Sequence, residues 1–184
     1  MIRIITAMYE ARKLCNFVLA RYDAQQFDLT NLRLNKLLFF IHAASLATRQ
    51  EGLIRNHFEA WQYGPVIRPV FDAFKKHADH WITEPARFLD YATGEQKPIP
   101  FDDIARPDAD LISEVFLEYS HFTTGQLVAL SHEPGGPWDL VYRAHLADNT
   151  ASPRIPNDLI RRHLAGQIKS SSRLAGQIKS SSRH

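Results

Sequence analysis

The feature that most constrains the fold is the stretch from Leu29 to Gln50, LTNLRLNKLLFFIHAASLATRQ. One set of its residues repeats with the 3.6-residue period of an α-helix, namely Leu34, Leu37, Leu38, Ile41 and Ser45. Phe39, Phe40 and Leu46 widen this apolar face. The stretch therefore predicts a central helix that packs against neighbours on more than one side.

Two helix starts carry capping signals. Thr30 is a good N-cap for the central helix, and Leu29 can pack on Leu34 as a hydrophobic staple. Further along, Thr123 and Gln126 have the spacing of a capping box, which predicts a helix through Leu127, Val128 and Leu130. This helix has to end at the following SHEPGGPW, where prolines and glycines forbid its continuation.

Weaker patterns complete the predicted fold. They indicate a first helix from about Ala7 to Tyr22 and short extended pieces in LIRNHFEAWQYGPV. The next helix either holds Pro65 in its first turn or begins nearer Arg68. An irregular β-hairpin around Thr93-Gly94, a helix from Pro107 or Asp108 and a last core helix from Pro137 follow. Together they predict a mainly α fold, a compact multi-helix domain with a small irregular β-hairpin. We expect this domain to span residues 1–150.

The remaining residues, 151–184, are predicted to form a basic C-terminal helix or tail. Residues 101–150 hold 2 basic and 9 acidic side chains, whereas residues 151–184 hold 7 basic and 1 acidic. The tail also contains the sequence LAGQIKSSSR twice in tandem, at 164–173 and 174–183. Two copies are too few for a repeat fold, so the pattern favours a tolerated duplication in a solvated terminus over a tandem binding motif.

Composition excludes several classes of protein. Cys15 is the only cysteine, so an intramolecular disulfide and a cysteine-based zinc site are impossible. No apolar run reaches the roughly 20 residues of a membrane helix, and charge interrupts the N-terminal MIRIITAMYEARK. We therefore expect a soluble cytoplasmic protein without a membrane partner.

The sequence lacks the usual motifs of catalysis and cofactor binding. His132 and Glu133 are adjacent, but Pro134 breaks the helix that an H-E-x-x-H zinc site needs. Phosphate-binding glycine loops and a G-x-S-x-G elbow do not occur, and His42 lies where a hydrogen-bonded core histidine is more common than a ligand. We predict that the protein is not an enzyme and uses neither a cofactor nor a metal.

Three segments in a fixed order carry a family resemblance: LRLNKLLFFIHAASLA (32–47), FEAWQYGPVIRPVFDAF (58–74) and LVALSHEPGGPWDLVY (127–142). Together they resemble the Panacea domain of SocA-like antitoxins, a family also met as phage-associated proteins. Its typical landmarks are a KL-x-KLL helix, an A-W-x-x-GPV segment and an L-S-x-x-PW segment. They match Leu34, Lys36, Leu37, Leu38, Ala60, Trp61, Gly64, Pro65, Val66, Leu130, Ser131, His132, Pro137 and Trp138. The chain departs from the family pattern at Asn35 and at the Gly135-Gly136 pair before Pro137.

The resemblance implies a helical antitoxin that neutralises a cognate protein toxin by direct binding. It also implies a second mechanism, in which the antitoxin acts as a proteolytic adaptor that delivers the toxin to an ATP-dependent Clp-type protease. Because aromatic side chains beside Gly-Pro corners are typical interface anchors, we predict a partner-binding site formed by Trp61, Tyr63, Gly64, Pro65, Arg68 and Trp138.

Three alternatives remain open at this point, one of which is a hydrolase whose Ser-His-acid triad would come together only in the folded protein. Trp61 and Trp138 can instead pack on each other in the core, since large aromatics are highly buried on average. The chain can also be a transcriptional regulator that binds nucleic acid through its basic tail, Arg154 to Arg183. Nucleic acid is the less expected partner, because the helix predicted after Thr123 carries no Arg or Lys and lies in the acidic segment.

Overall fold

The computed structural model describes residues 8–148 and 153–163. Its α-helices are α1 (Ala11–Arg21), α2 (Asn31–Arg49), α3 (Arg68–Phe74), α4 (Arg106–Ser120), α5 (Thr124–Ser131), α6 (Pro137–Ala147) and α7 (157–163). Its strands are β1 (Phe58–Trp61), β2 (Gly64–Val66), β3 (Arg87–Asp90), β4 (Glu95–Pro98) and β5 (Arg154–Ile155). Within these residues, no helix is both long and apolar enough to cross a membrane. The predicted fold class, mainly α with small β-hairpins, is confirmed.

Helix α2 lies at the centre, as predicted. It packs against α1, α3, α4 and α5 and against strand β2. The Thr30 hydroxyl accepts a hydrogen bond from the backbone N–H of Arg33, and Leu29 and Leu34 are both fully buried. Gln50 ends the helix in the left-handed conformation with φ of 61°. The predicted cap is thus confirmed as a hydrogen bond, and both residues of the predicted staple lie in the core.

The strands form two separate antiparallel sheets. One is three-stranded, in the order β2-β1-β5, and the other is the hairpin β3–β4. Pro65 lies within β2, opposite Ala60 of β1, so the prediction that it sits in the first turn of a helix is wrong. Helix α3 begins at Arg68 and holds Pro69 in its first turn, in agreement with the second predicted start.

The first helix starts later than expected because the chain before it pairs with another segment. Tyr9 is extended, and its backbone N–H donates to the carbonyl of Leu53 at 2.8 Å. The Tyr9 hydroxyl donates to the Asp108 carboxylate at 2.7 Å, and Arg49 forms a salt bridge to the same carboxylate. These contacts join the start of α1 and the end of α2 to the first turn of α4.

Part of the predicted tail packs onto the helical domain. Strand β5 pairs with β1, and the side chains of Ile155 and Ile160 are buried in the core. The core therefore extends to α7, beyond the boundary predicted at residue 150. The tandem repeat at 164–183 lies outside the described residues.

Candidate functional site

The three landmark segments meet around Gly64. This residue adopts φ of +99°, a conformation that L side chains rarely take. A Cβ atom placed there would lie 2.7 Å from Cε of Lys36, 2.7 Å from Oγ of Ser131 and 3.1 Å from Nε2 of His132. Both the backbone angle and the lack of space require glycine at this position, because α2, the β1–β2 hairpin and the end of α5 converge on it.

Lys36 projects from the second turn of α2 into the protein and is fully buried. Its ammonium group donates to the carbonyl oxygen of Pro65 at 2.9 Å. Burial lowers the pKa of Lys36 to about 7, because an isolated charge is poorly stabilised away from water. The neighbouring Asn35 supports the same hairpin, since its side-chain oxygen accepts the N–H of Ile67 at 2.9 Å. Helix α2 thus holds β2 by two adjacent polar side chains.

An aromatic stack covers the other side of the hairpin. The ring of His132 lies parallel to Trp138 with centroids 3.6 Å apart, and Tyr142 stacks on Trp138 at 4.7 Å. The indole N–H of Trp138 donates to the backbone carbonyl of Trp61 at 2.8 Å. Residues 131–138, the corner between α5 and α6, are therefore fixed to strand β1.

His132 has an unusual environment within this stack. Its Nε2 atom is buried and has no hydrogen-bond partner among the described residues. Burial lowers the pKa of His132, the positive charge of Lys36 lowers it further, and Asp139 opposes the shift. Neutral imidazole is therefore the favoured form beside Lys36.

The outer face of the hairpin is an ordered aromatic and charged surface. The indole N–H of Trp61 donates to a Glu59 carboxylate oxygen at 2.8 Å, and the Arg68 guanidinium binds the same oxygen at 2.8 Å. Arg68 also lies over the Trp61 ring, 5.0 Å from its centroid, while Phe71 packs edge-on against that ring at 4.9 Å. Because each group is held by a neighbour, this surface is preorganised for contact with a partner.

The structure brings the six predicted partner-binding residues together but divides them by exposure. Gly64, Pro65 and Trp138 are buried and hold the hairpin in place. Trp61 is half-buried, Arg68 is exposed, and Tyr63 at the hairpin turn is 62% exposed. We call the last three the Trp61 surface. Trp61 and Trp138 are joined by the hydrogen bond described above, and each ring packs on other partners. Whether these residues bind a partner stays a prediction.

Four residues of this site were not predicted to contribute to it: Lys36, Glu59, Ser131 and His132. Lys36 gave one signal, because it lies within the widened apolar face of a central helix. A charged residue there has either to be buried or to leave that part of the face exposed to water. Ser131 and His132 gave another, because both belong to the family landmark before Trp138, although that landmark does not say what they contact. Glu59 gave no signal. The contribution of these residues depends on which of them the tertiary structure places beside Trp61 and Gly64.

Two other side chains considered for chemistry are structural. His42 is buried, as predicted for a core histidine; its Nδ1 accepts the N–H of Ile54 at 3.1 Å, so the neutral ring donates through Nε2 to Asn157 at 3.0 Å. Burial raises the pKa of the Cys15 thiol well above its ordinary value, which disfavours the reactive thiolate.

Comparison with known proteins identifies relatives of this chain. Residues 34–139 match the family model described as antitoxin SocA-like, Panacea domain. The chain is also 34% identical over 137 residues to antitoxin SocA of Caulobacter vibrioides, strain NA1000 / CB15N, an alignment that covers 72% of this chain and 70% of the relative. No solved structure matches the chain. The matched region includes all residues that surround Gly64.

Proposed function

Because the chain belongs to the SocA-like antitoxin family with a Panacea domain, we propose that it neutralises a cognate protein toxin by binding it directly. The observation that carries this proposal is the Trp61 surface, in which Glu59 and Phe71 hold Trp61 and Arg68 in place. Aromatic and arginine side chains whose positions are fixed before binding lose little conformational entropy in a complex. The buried residues around Gly64 supply the rigid support for this surface.

The Trp61 surface is proposed to contact the toxin through Tyr63, Arg68 and the exposed edge of Trp61. Gly64, Pro65 and Trp138 act indirectly, because they are buried and set the position of the hairpin. Arg68 retains its pairing with Glu59 through Nε and Nη2 in the complex and presents Nη1 to the toxin. A cytoplasmic location is part of this proposal and is expected from the single cysteine.

A co-expression experiment tests the function. We expect the chain to restore growth of cells that produce the protein encoded by the adjacent reading frame, and to co-purify with that protein. The double variant Tyr63→Ala, Arg68→Ala should remain folded, since both side chains are exposed, and should weaken the complex by at least about tenfold. The double variant Tyr91→Ala, Arg87→Ala changes the same residue types on the exposed hairpin β3–β4 and is the matched control.

Absence of both growth rescue and a complex would remove the proposal. If both double variants lost the same amount of binding affinity, the antitoxin role would stand, but the Trp61 surface would not be its binding site. Delivery of the toxin to a Clp-type protease is the finer mechanism that the family resemblance implies. It is tested by whether the purified protease degrades the toxin faster when the chain is present.

A further inference from the structure

A second surface, an apolar groove, opens beside the α5–α6 corner. Its walls come from α2, α4, α5, the start of α6 and α7, and it encloses a volume of about 200 Å³. Phe40 of α2 and Tyr119 of α4 stack within it, with ring centroids 4.4 Å apart and planes 9° from parallel. Ser131 lines the groove and also contacts the Gly64 site, so the two surfaces share one corner of the protein.

Exposed apolar side chains extend the groove along α5. Leu130 borders it and is 45% exposed. A shallower depression continues past Leu130 over Phe122, Ala129 and Pro134. The enclosed volume is below the roughly 300 to 1,000 Å³ typical of small-molecule sites. Together with the exposed continuation, this favours insertion of one or two protein side chains.

The charges around the groove have one dominant sign. Glu118 and Glu133 line it, and the lining residues of the described chain include no lysine or arginine. Glu133 pairs with His163 at 2.9 Å. Asp110, Glu114 and Glu118 follow one another at four-residue spacing on α4, and none of the three forms a salt bridge within the described residues. Such spacing places like charges side by side, which destabilises a helix unless a cation lies nearby.

We propose that this groove binds a segment of the toxin that inserts apolar side chains between α2 and α4 and places lysine or arginine against Glu118 and Glu114. The inference rests on the proposed antitoxin function and adds a second contact surface to it. Apolar anchors supply the affinity, because they remove Leu130, Phe40 and Tyr119 from water. The carboxylates at the rim set the orientation of the segment and speed association.

Binding of the adjacent gene's product to the full-length chain tests the groove, by calorimetry at 0.1 and at 0.5 M salt (about 10 and 4 Å of screening length). We expect Leu130→Ser to raise Kd about tenfold at both salt concentrations. Glu118→Lys should raise Kd about tenfold at the lower salt concentration and much less at the higher one.

The controls use matched residues outside the groove. Leu117→Ser alters a leucine on α4 of nearly equal exposure, 49%, and Glu95→Lys reverses a charge on the exposed strand β4. Both should leave Kd within about twofold of the wild-type value. Circular dichroism has to show equal helix content for all four variants.

The remaining outcomes would show which molecule, if any, occupies the groove. Wild-type binding that Leu130→Ser and Glu118→Lys leave unchanged would overturn the groove proposal while the antitoxin function stands. If changing Leu164, Ile168, Leu174 and Ile178 to serine in the full-length chain instead tightened binding about tenfold, the chain's own tail would be the occupant. Self-association that Leu130→Ser abolishes, with toxin affinity unchanged, would assign the groove to a second copy. Failure of the wild-type chain to bind at all would overturn both proposals.

Discussion

The two β-hairpins in the described part of the chain use similar local structure for different purposes. In β1–β2 the residues of β2 are all buried, a third strand pairs with β1, and Lys36 and Trp138 each donate a hydrogen bond to its backbone. In β3–β4 both strands are mostly exposed, and Tyr91 beside the turn is 91% exposed. Only the first hairpin is tied to the rest of the protein closely enough to hold a binding surface in a fixed position.

The largest single loss of stability is expected at a turn glycine of the first hairpin, with the turn glycine of the second hairpin as its comparison. Gly64 and Gly94 both have positive φ, 99° and 72°, but a Cβ at Gly94 would meet no atom within 4 Å. Gly64→Ala adds steric conflict with Lys36 and Ser131 to backbone strain, so we expect it to lower the free energy of unfolding by about 5 kcal/mol. Gly94→Ala carries the strain alone and should cost about 1 to 2 kcal/mol. Urea denaturation measures both values.

Similar losses in the two glycine variants would contradict this view of the hairpins. They would mean that the atoms around Gly64 move aside at little cost. The convergence of the three landmark segments would then be loose packing, and the Trp61 surface would lack its rigid support.

The next largest single loss of stability is expected for an aromatic side chain beside the first hairpin. Trp138 is 7% exposed, stacks on two rings and donates to Trp61, so Trp138→Ala should destabilise the protein by about 4 kcal/mol. Tyr91→Ala removes an exposed ring and should change stability by less than about 0.5 kcal/mol. Thermal and urea unfolding give both numbers. A small loss for Trp138→Ala would show that the α5–α6 corner does not hold the first hairpin.

Much of this contrast lies beyond what sequence patterns can predict. The central helix, the capping box at Thr123 and the hairpin at Thr93-Gly94 depend on residues close together in the chain, and all three are confirmed. Pro65 lacks a backbone N–H, which suits the first turn of a helix and also suits a strand edge, so the local sequence does not decide between the two. Pairing with Ala60 and a hydrogen bond from Lys36, both tertiary contacts, decide between them.

The candidate site was likewise predictable only in part, because some of its features depend on tertiary contacts. The family resemblance selected Trp61, Gly64 and Trp138, and the structure places them together. The family resemblance did not indicate which of these residues are buried. It also did not indicate that Lys36 and His132 lie on either side of Gly64. Those facts depend on the relative orientation of α2 and α5, which is set by packing over the whole core.

The smallest predicted difference concerns two lysines, Lys36 beside the first hairpin and Lys97 in the second. It is a difference in how the free energy of unfolding depends on pH. In the unfolded chain Lys36 keeps its proton up to the ordinary lysine pKa of 10.5, whereas the folded protein binds that proton only below about 7. The unfolded state therefore binds more protons between these pH values, and stability rises with pH across the window. Each pH unit corresponds to about 1.4 kcal/mol. Relative to Lys36→Met, the wild type should gain about 3 kcal/mol between pH 7 and 10.

Comparison of each variant with the wild type cancels groups common to both proteins, including the buried Cys15 thiol, whose raised pKa lowers stability at high pH. Lys97→Met on β4 is the control, because Lys97 is partly exposed and its ammonium group pairs with Asp90. The stability difference between this variant and the wild type should stay constant, within about 0.5 kcal/mol, from pH 7 to 10. If the Lys36→Met difference is equally constant, the Lys36 ammonium group is charged in the folded protein at neutral pH. The first hairpin would then be held by a charged ammonium group with access to water, as the second hairpin is by Lys97.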